Sequence, residues 1–322
     1  MSAESTGLPT RTLGRTGLLV TQLGYGAMEL RGGPRGRPVD DQQADRILNA
    51  VLDGGINYID TSIDYGASEE LIGRYISGRR SQFFLASKCG CWAGDTPQAT
   101  TAEGRQPHVF TRDNVTAGVE QSLRRLHTDY LDVVQFHASP SPATLHEQGA
   151  LEALLDLQRA GKVRFVGMSG TLPNLTDQID MGVFDVFQIP YSAVQREHED
   201  VISTAAQAGA GTVIRGGTAR GALAEDKQDS APRGLTSGDI RDAWQRANLD
   251  DLLDGASRQE FVLRFTLTHP DVHTTIVGTA DPGHLAANLA AARKGPLPAD
   301  VYAEAKRRLS SPSPSPSGRG PG

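Results

Sequence analysis

The sequence predicts an α/β protein that folds as a closed (β/α)8 TIM barrel, and three observations lead to this fold class. Short runs rich in Val, Ile and Phe alternate with amphipathic stretches of helical periodicity along most of the 322 residues. This alternation indicates βαβ units and a parallel sheet. The apolar runs number eight, and no Gly-x-Gly-x-x-Gly turn follows the first of them.

Each predicted strand is a short apolar run bounded by glycine, proline or polar residues, as expected for strands that are buried on both faces. The eight runs are LGYGA (23–27), INYID (56–60), FFLASK (83–88), LDVVQFH (131–137), VRFVGMSG (163–170), FDVFQIP (184–190), GTVIRGG (211–217) and TTIVGT (274–279).

The predicted helices carry recognisable start and stop signals. Asp40 is suited to cap a helix that runs to about Asp53, with Gly54 at the C′ position. Thr111 is suited to cap a second helix, and its apolar face consists of Val115, Val119, Leu123 and Leu126. Leucines mark a helix that ends before Gly161, and the pattern predicts further helices at 174–181, 199–208, 257–268, 282–294 and 299–309.

Alternating strands and helices fit both an open doubly wound sheet and a closed barrel. An open sheet that binds a dinucleotide carries a glycine-rich turn between its first strand and first helix. Here GYGAM (24–28) holds only two of those glycines, and no helix start follows it. The closed barrel is therefore the favoured arrangement.

The composition argues against several classes of function. A net charge of −6 and a pI near 5.8 argue against a general nucleic-acid binder, which presents a basic surface. The chain has no run of eighteen apolar residues and no apolar N-terminal signal segment, so we expect a cytoplasmic protein without a membrane partner. Cys89 and Cys91 are too close for a relaxed disulfide and lack the second pair of a zinc site, so we expect reduced thiols and no metal.

The length suits one barrel followed by a tail. A single domain of this size buries a large core without disulfides or metals. The end of the chain, SSPSPSPSGRGPG, is a Ser/Pro/Gly segment that has little apolar surface to bury. We therefore expect one barrel domain over 1–309 and a disordered tail over 310–322, and the sequence does not indicate the oligomeric state.

Polar residues and glycines stand at the carboxyl ends of the predicted strands, which all face one mouth of a barrel. Taken singly, most are ordinary, since Asp is a common cap, Tyr a common loop residue and His a common core residue. A lysine at the end of an apolar run is less ordinary, because it needs a buried partner. The residues are Asp60, Lys88, His137, Ser169, Gln188, Arg215 and Gly278, with Tyr65 in the loop after Asp60.

Four of these residues together indicate a general acid for carbonyl reduction. Tyrosine has an ordinary pKa of about 10 and donates a proton poorly at neutral pH unless a cation favours its phenolate. Lys88 would supply that cation, and Asp60 would position Lys88. His137 would orient a carbonyl oxygen, while the hydride comes from another source.

The segment GINYIDTSIDYGASE (55–69) resembles the signature of the aldo-keto reductase family, Gly-x-Asn-x-x-Asp-Thr-Ala-x-x-Tyr-Gly-x-Ser-Glu. Further segments resemble the same family in the same order, over about residues 11–309. The N-terminal part resembles the family's β-hairpin and first strand, and the C-terminal end its additional helix. These segments are RTLGRTGLLVTQLGYGAM, LASKCG, SLRRLHTDYLDVVQFH, GKVRFVGMSG, FDVFQIPYSAVQRE and IVGTADPGHLAANL.

The resemblance implies a catalytic tetrad of Asp60, Tyr65, Lys88 and His137, with Tyr65 as proton donor. It also implies a nicotinamide dinucleotide bound without a Rossmann domain, with Asp60 at the nicotinamide ribose. We expect NADPH, with NADH possible, and a small-molecule carbonyl or alcohol as substrate. The implied cofactor residues are Asp60, Ser169, Gln188, Arg215, Gly278, Thr279, His284 and Asn288, and a helix starting near Pro282 is suited to an anion.

Three positions depart from the family pattern. Gly170 follows Ser169 where many members have Asn, so one carboxamide contact is absent. Arg215 stands where many members stack an aromatic ring on the nicotinamide, and its planar guanidinium can stack or reach a phosphate. His284 stands where NADP-preferring members place an arginine, and a neutral histidine holds a phosphate less firmly.

Two longer segments have open interpretations. The loop 89–110 follows Lys88 and contains Trp92, Arg105, His108 and Phe110, so it is either a substrate-specificity loop or a surface excursion. The polar, acidic stretch 222–256 either covers the cofactor or forms ordinary surface.

We expect an NAD(P)H-dependent reductase of aldehydes or ketones. The same residues also allow the reverse reaction, so a sugar or alcohol dehydrogenase is one alternative. A barrel that binds the cofactor for redox sensing or regulation is the other, and the presence of both Tyr65 and Lys88 argues against it.

Overall fold

Eight parallel strands close into the barrel that the sequence predicts. The computed structural model describes residues 7–33, 36–94, 107–223 and 236–310. Neighbouring barrel strands follow chain order, and the last strand closes the ring by pairing with the first. A separate hairpin consists of β1 (Thr10–Thr12) and β2 (Leu19–Thr21). The barrel strands are β3 (Leu23–Gly26), β4 (Tyr58–Asp60), β5 (Phe84–Cys89), β6 (Leu131–Phe136), β7 (Val163–Ser169), β8 (Val186–Pro190), β9 (Gly211–Arg215) and β10 (Thr274–Val277).

Helices follow the barrel strands, as a (β/α)8 arrangement requires. All of the helices predicted above are present, and so is a helix that Ser68 and Glu69 open, as the segment GINYIDTSIDYGASE also predicts. The helix of residues 142–147 and that of residues 237–246 were not predicted. The helices are α1 (Asp41–Asp53), α2 (Ser68–Ile76), α3 (Arg112–Leu126), α4 (Pro142–Glu147), α5 (Ala150–Arg159), α6 (Asn174–Asp180), α7 (Glu199–Gln207), α8 (Ser237–Arg246), α9 (Arg258–Thr268), α10 (Pro282–Arg293) and the additional C-terminal helix α11 (Ala299–Ser310).

The predicted N-caps are confirmed, and one C-terminal assignment is wrong. The Asp40 side chain accepts a hydrogen bond from the backbone N–H of Gln43 at 2.7 Å, and Thr111 caps α3 in the same way. Gly54 keeps a right-handed conformation with φ −71°, whereas Gly55 has φ +90°. The left-handed C′ position therefore belongs to Gly55, because the chain reverses one residue later than predicted.

The β1–β2 hairpin plugs the amino end of the barrel. Leu13 is fully buried, and a Cβ atom on Gly211 would lie 2.6 Å from its Cγ, so β9 needs a glycine at its start. Asn57 ties the hairpin to β4, because its Oδ1 accepts from the Thr21 N–H at 2.7 Å. Arg11 donates to the carbonyl oxygen of Val272 at 2.9 Å, just before β10. The apolar cluster of this end comprises Leu13, Leu18, Val20, Tyr58, Ala86, Val133, Val186 and Val213.

A second and larger core lies between the outer face of the barrel and the helices. It consists of the apolar stripes of the helices and the outward-facing strand residues, which form one continuous buried cluster. The α3 residues expected on one face, Val115, Val119, Leu123 and Leu126, all belong to it. At the barrel end opposite the hairpin, outward-facing residues such as Phe136 belong to this cluster, while the buried polar residues Asp60 and Lys88 lie in neither cluster.

In the part of the chain that the structure describes, no helix is both long enough and apolar enough to cross a membrane.

The tail prediction falls almost wholly outside the described residues. Helix α11 ends at Ser310, one residue beyond the predicted end, and residues 311–322 are not described. The division into a barrel over 1–309 and a tail over 310–322 stays a prediction.

We expect Leu13→Ala to destabilise the protein by about 2–5 kcal/mol, because it removes a fully buried side chain from the plug and leaves a cavity. Urea unfolding followed by circular dichroism measures this loss. Leu19→Ala is the matched control in the same hairpin, since Leu19 is 55% exposed and should change stability by less than about 0.5 kcal/mol. Equal losses in the two variants would contradict the plug.

Candidate active site

A buried ion pair lies at the carboxyl end of the barrel. Asp60 is the last residue of β4, and Lys88 stands two residues beyond the position that pairs with Asp60 on β5. The Lys88 ammonium donates to Asp60 Oδ1 at 2.5 Å and to the carbonyl oxygen of Thr61 at 2.8 Å. Both side chains are at most 1% exposed. Burial acts to lower the pKa of Lys88, but Asp60 and Tyr65 raise it, and the net pKa lies above its ordinary value.

The second oxygen of Asp60 is held by two glutamines. Oδ2 accepts hydrogen bonds from Gln135 Nε2 at 3.0 Å and from Gln188 Nε2 at 2.8 Å. Both glutamines are buried, on β6 and β8. Gln135 was not predicted as a site residue, although a signal was present, because it is a polar residue inside the apolar run LDVVQFH. The carboxylate is therefore bonded to side chains from three other strands.

The loop after β4 brings Tyr65 to this pair. The Lys88 ammonium lies 4.8 Å from the centre of the Tyr65 ring, as in a cation–π contact. Gly66 has φ +48°, and a Cβ atom there would lie 2.2 Å from the carbonyl oxygen of Arg31, so the turn requires glycine. Burial raises the pKa of Tyr65, the Lys88 charge lowers it and Asp60 raises it, with a net increase. Tyr65 therefore holds its proton at neutral pH.

Ser68 and Glu69 begin α2, but their side chains form hydrogen bonds to barrel residues and do not cap the helix. Ser68 Oγ donates to the carbonyl oxygen of Ala27 and lies 2.9 Å from Thr61 Oγ1, which fixes the loop against β3. Glu69 is fully buried and accepts from Ser87 Oγ at 2.7 Å. The conspicuous polar residues of 55–69 are thus divided between structural links and the cluster around Lys88.

His137 follows β6 directly and completes the predicted set. Its backbone N–H donates to the carbonyl oxygen of Cys89 at 3.0 Å, which holds it at the end of β5. Its ring lies edge-on to the ring of Tyr65, with 6.2 Å between the centroids. The structure therefore brings Asp60, Tyr65, Lys88 and His137 together at one end of the barrel.

Cys91 is a neighbour of His137 that the sequence did not indicate. Its Sγ lies 3.1 Å from His137 Nδ1, at hydrogen-bond distance. Burial, with a smaller effect of Asp64, raises the pKa of the Cys91 thiol to about 12. At neutral pH the thiol is protonated, so Cys91 is a hydrogen-bond partner of the histidine and not a ready nucleophile.

The residues expected at the nicotinamide lie on the rim of the same barrel end. Ser169 Oγ donates to Gln188 Oε1 at 3.3 Å, and the two residues pair across β7 and β8. Arg215 ends β9 two residues after Val213, whose side chain lies in the barrel interior, so it projects to the same mouth. A hydroxyl, an amide and a guanidinium beside Asp60 suit a carboxamide and an anion, so these residues fit the nicotinamide end of a dinucleotide.

The departure at Gly170 has a steric cause in this chain. A Cβ atom on Gly170 would lie 2.7 Å from Gln178 Oε1 and 2.8 Å from Leu175 Cδ1. The side chain of Gln178 is fully buried and donates to the carbonyl oxygen of Pro140 at 2.6 Å. The space that an asparagine would need is therefore filled from α6.

The residues expected at the adenosine end lie at and after β10. Gly278 packs against β3, since a Cβ atom there would lie 2.6 Å from the carbonyl oxygen of Gly26. Thr279 is buried, and its carbonyl oxygen accepts from Tyr25 Oη at 2.7 Å. His284 is exposed and Asn288 is half-buried on α10.

The first turn of α10 is capped by a carboxylate of its own. Asp281 Oδ1 accepts from the backbone N–H groups of Gly283 at 2.7 Å and His284 at 3.1 Å. Two of the amides expected to face an anion are therefore already hydrogen-bonded. The negative charge of Asp281 also stands where a phosphate was expected.

The two segments with open interpretations are described only in part. In the loop 89–110, residues 95–106, including Arg105, lie outside the described residues, and the two ends form an antiparallel bridge between Cys91 and His108. In 222–256, residues 224–235 are not described, and α8 buries Trp244 against Phe261 at 5.7 Å between ring centroids. The part around α8 is thus a packed structural element, and the roles of both segments stay predictions.

Comparison with known proteins gives a consistent result. A model of the Aldo/keto reductase family matches residues 22–308. The aldo-keto reductase YhdN of Bacillus subtilis (strain 168) is 28% identical over 296 residues, covering 84% of this chain and 85% of that protein. L-galactose dehydrogenase of Arabidopsis thaliana is 26% identical over 306 residues, covering 89% of this chain and 88% of that one. The holo structure of the aldo-keto reductase AKR11C1 from Bacillus halodurans has a TM-score of 0.77 and 27% identity, and the match covers 94% of this chain and 96% of that chain.

We expect Lys88→Met to destabilise the protein by about 3–5 kcal/mol, because it leaves the buried Asp60 carboxylate without its cation. Urea unfolding measures the loss. The double variant Lys88→Met with Asp60→Asn should regain most of it, since no uncompensated charge is then buried. A single variant as stable as the wild type would contradict the structural role of the pair.

Proposed function

The chain belongs to the aldo/keto reductase family, whose members are oxidoreductases that use NAD(P)H, and on this premise we propose that it reduces an aldehyde or ketone to the alcohol with Tyr65 as proton donor. The observation that carries the proposal is the placement of the Lys88 ammonium 4.8 Å from the centre of the Tyr65 ring, with the His137 ring edge-on to it.

Tyr65 releases its proton to the carbonyl oxygen as that oxygen gains negative charge. Lys88 assists, because its positive charge stabilises the phenolate that Tyr65 becomes. Since burial and Asp60 keep the pKa of Tyr65 raised, the phenol stays protonated until the substrate oxygen needs the proton.

Asp60 acts through Lys88 and does not move a proton. Its two oxygens are bonded to the Lys88 ammonium and to Gln135 and Gln188, so the carboxylate has a fixed position. A fixed carboxylate keeps the ammonium directed at the Tyr65 side of the mouth. His137 lies edge-on to the Tyr65 ring, where it would orient the carbonyl oxygen of the substrate.

The cofactor proposed is NADPH, with NADH also accepted, and when bound its nicotinamide supplies the hydride. Ser169, Gln188 and Arg215 would hold the nicotinamide end beside Asp60. The residues that would hold the adenosine end are Gly278, Thr279, His284 and Asn288. Asp281 caps α10 beside His284, and its negative charge would weaken the hold on the 2′-phosphate of NADPH without preventing binding, which is why NADH is proposed to be accepted as well.

Oxidation of a sugar or another alcohol is the second candidate function. It is favoured by one relative named as an L-galactose dehydrogenase, which is similar over 89% of this chain. In that direction the Tyr65 phenolate accepts the hydroxyl proton, and Lys88 again stabilises it. Assays with a carbonyl panel and with an alcohol and sugar panel, each with both cofactors, decide the direction.

We expect Tyr65→Phe to lower kcat for carbonyl reduction by at least about 100-fold, since it removes the proton donor. The affinity for NADPH, followed by cofactor fluorescence, should stay nearly unchanged. Tyr75→Phe on α2 is the matched control and should keep full activity.

An active Tyr65→Phe variant would overturn the assignment of the proton donor. A wild-type protein that binds NADPH but turns over no member of either panel would instead favour the regulatory interpretation, in which the barrel binds the cofactor without catalysis.

We expect Asp281→Asn to tighten NADPH binding about fivefold, corresponding to about 1 kcal/mol, while NADH binding stays unchanged. The asparagine oxygen can still cap α10, but the negative charge near the 2′-phosphate is gone. Asp300→Asn on α11 is the control for a general change in charge. Equal tightening of NADH and NADPH would show that Asp281 does not face the 2′-phosphate.

A further inference from the structure

Three metal-ligating side chains converge beside the proposed active site, on three separate segments of the chain. Cys91, His108 and His137 each offer one donor atom, and these atoms all lie within 4.8 Å of one another. Cys91 is buried, His137 is half-buried and His108 is exposed. The cluster therefore reaches from the protein interior to solvent, which gives an ion an entry path.

The backbone holds all three residues in register. Cys91 and His108 face each other across an antiparallel bridge, and the hydrogen bond from Val109 N–H to the carbonyl oxygen of Gly90, at 2.7 Å, extends that pairing. Directly opposed residues in an antiparallel pair project to the same side. His137 is fixed to the end of β5 by its N–H bond to Cys89, which lies two residues before Cys91. Backbone contacts alone therefore bring the three metal-ligating side chains close together.

The spacing suits a small tetrahedral ion after a modest adjustment. Zinc bonds of about 2.3 Å to sulfur and about 2.0–2.1 Å to nitrogen place donor atoms roughly 3.3–3.6 Å apart. The sulfur of Cys91 and Nδ1 of His137 are 3.1 Å apart, so this pair has to open by about 0.5 Å to reach the sulfur–nitrogen spacing. The donor atoms all lie within 4.8 Å of one another, so no pair has to close by more than roughly 1.5 Å. The exposed His108 ring stacks on Phe110 and contacts the His137 ring, and it would move together with these contacts.

We propose that Cys91, His108 and His137 form a binding site for Zn²⁺. One thiolate and two imidazoles are ligands that zinc prefers, and Mg²⁺ or Ca²⁺ would require oxygen ligands instead. The Sγ–metal bond forms as the S–H bond of Cys91 breaks, and the thiol proton leaves to solvent, so no change of oxidation state is involved. Three protein ligands leave a fourth tetrahedral position for water.

Occupation of this site changes turnover. Zn²⁺ held at Nδ1 of His137 fixes the tautomer, charge and direction of the ring that is proposed to orient the carbonyl oxygen of a substrate, while the other ring nitrogen stays available as a donor. This consequence rests on the proposed function, whereas the binding of the ion does not.

The sequence did not indicate this proposed site. The expectation that the protein binds no metal was based on Cys89 and Cys91 alone. Cys89 and Cys91 were considered together because they are close in sequence, yet Cys89 is not part of the cluster. The two histidines come from positions 17 and 46 residues further along the chain. Metal spacing rules use short intervals, so they do not detect ligands that only the barrel rim brings together.

The test is a titration of the full-length, chelator-treated protein with Co²⁺, which replaces zinc and has visible spectra. We expect one equivalent to bind and to give a thiolate-to-cobalt charge-transfer absorption in the near ultraviolet. Competing Zn²⁺ should abolish that absorption. In Cys91→Ala the absorption should be lost, and in His108→Ala the affinity should fall at least tenfold.

Cys89→Ala is the matched control, because it removes a buried cysteine of the same segment and should leave the absorption intact. His108→Ala changes an exposed residue and is the variant for which folding is not in doubt. The proposal is wrong if the wild type gives no thiolate absorption, if Cys91→Ala retains it, or if His108→Ala binds Co²⁺ as tightly as the wild type.

The effect on turnover is measured separately from binding. Zn²⁺ should change kcat or KM of the wild type for the carbonyl substrate, and His108→Ala should need at least tenfold more Zn²⁺ for the same change. If the wild type gives the cobalt absorption but shows no turnover, the metal site stands and the proposed function is wrong. Turnover without any cobalt absorption refutes the metal site alone.

Discussion

The ion pair between Lys88 and Asp60 is the interaction on which the barrel mouth depends. Two charges buried to this degree are stable only if each is fully bonded, because removal from water costs several kcal/mol per ion. Asp60 meets this requirement through Lys88, Gln135 and Gln188, and Lys88 also uses the carbonyl oxygen of Thr61. One carboxylate on β4 thus fixes side chains from β5, β6 and β8, and the proposed proton donor rests against the same ammonium.

Much of this arrangement could be predicted from the sequence, since strand endings of a barrel share one edge. Eight apolar runs, two helix caps and the residues Asp60, Lys88 and His137 followed from local patterns alone. Gln135 was missed because its partner is 75 residues away, and pairing of that kind follows from register around the barrel. The placement of Cys91 and His108 beside His137 was missed because it also depends on contacts between distant segments. Helix α4 was missed because six residues show little periodicity, and α8 because it lies in a polar stretch with few apolar residues to mark a helical face.

The departures from the family pattern are local adjustments with visible physical causes. Gln178 fills the space beside Gly170, so that position has no room for a longer side chain. Asp281 caps α10 and places a negative charge at the predicted phosphate end. Both features lie on the cofactor side, while the cluster around Asp60 keeps every predicted member. The proposed catalytic residues therefore follow the family pattern more closely than the proposed cofactor-binding residues do.

The hairpin plug has a consequence for the order of folding. Its Arg11 bonds to Val272, and β3 pairs with β4 early but finds its second neighbour only in β10, so part of the contacts of residues 10–26 wait for residues beyond 270. A nascent chain can form individual βα units on the ribosome, but it cannot seal the barrel until nearly all of it has been synthesised. Pairing β3 with β10 closes a long loop of chain, and the entropy lost in this closure slows folding. The unsealed intermediate exposes two strand edges, which makes the last stage of synthesis the one most open to aggregation.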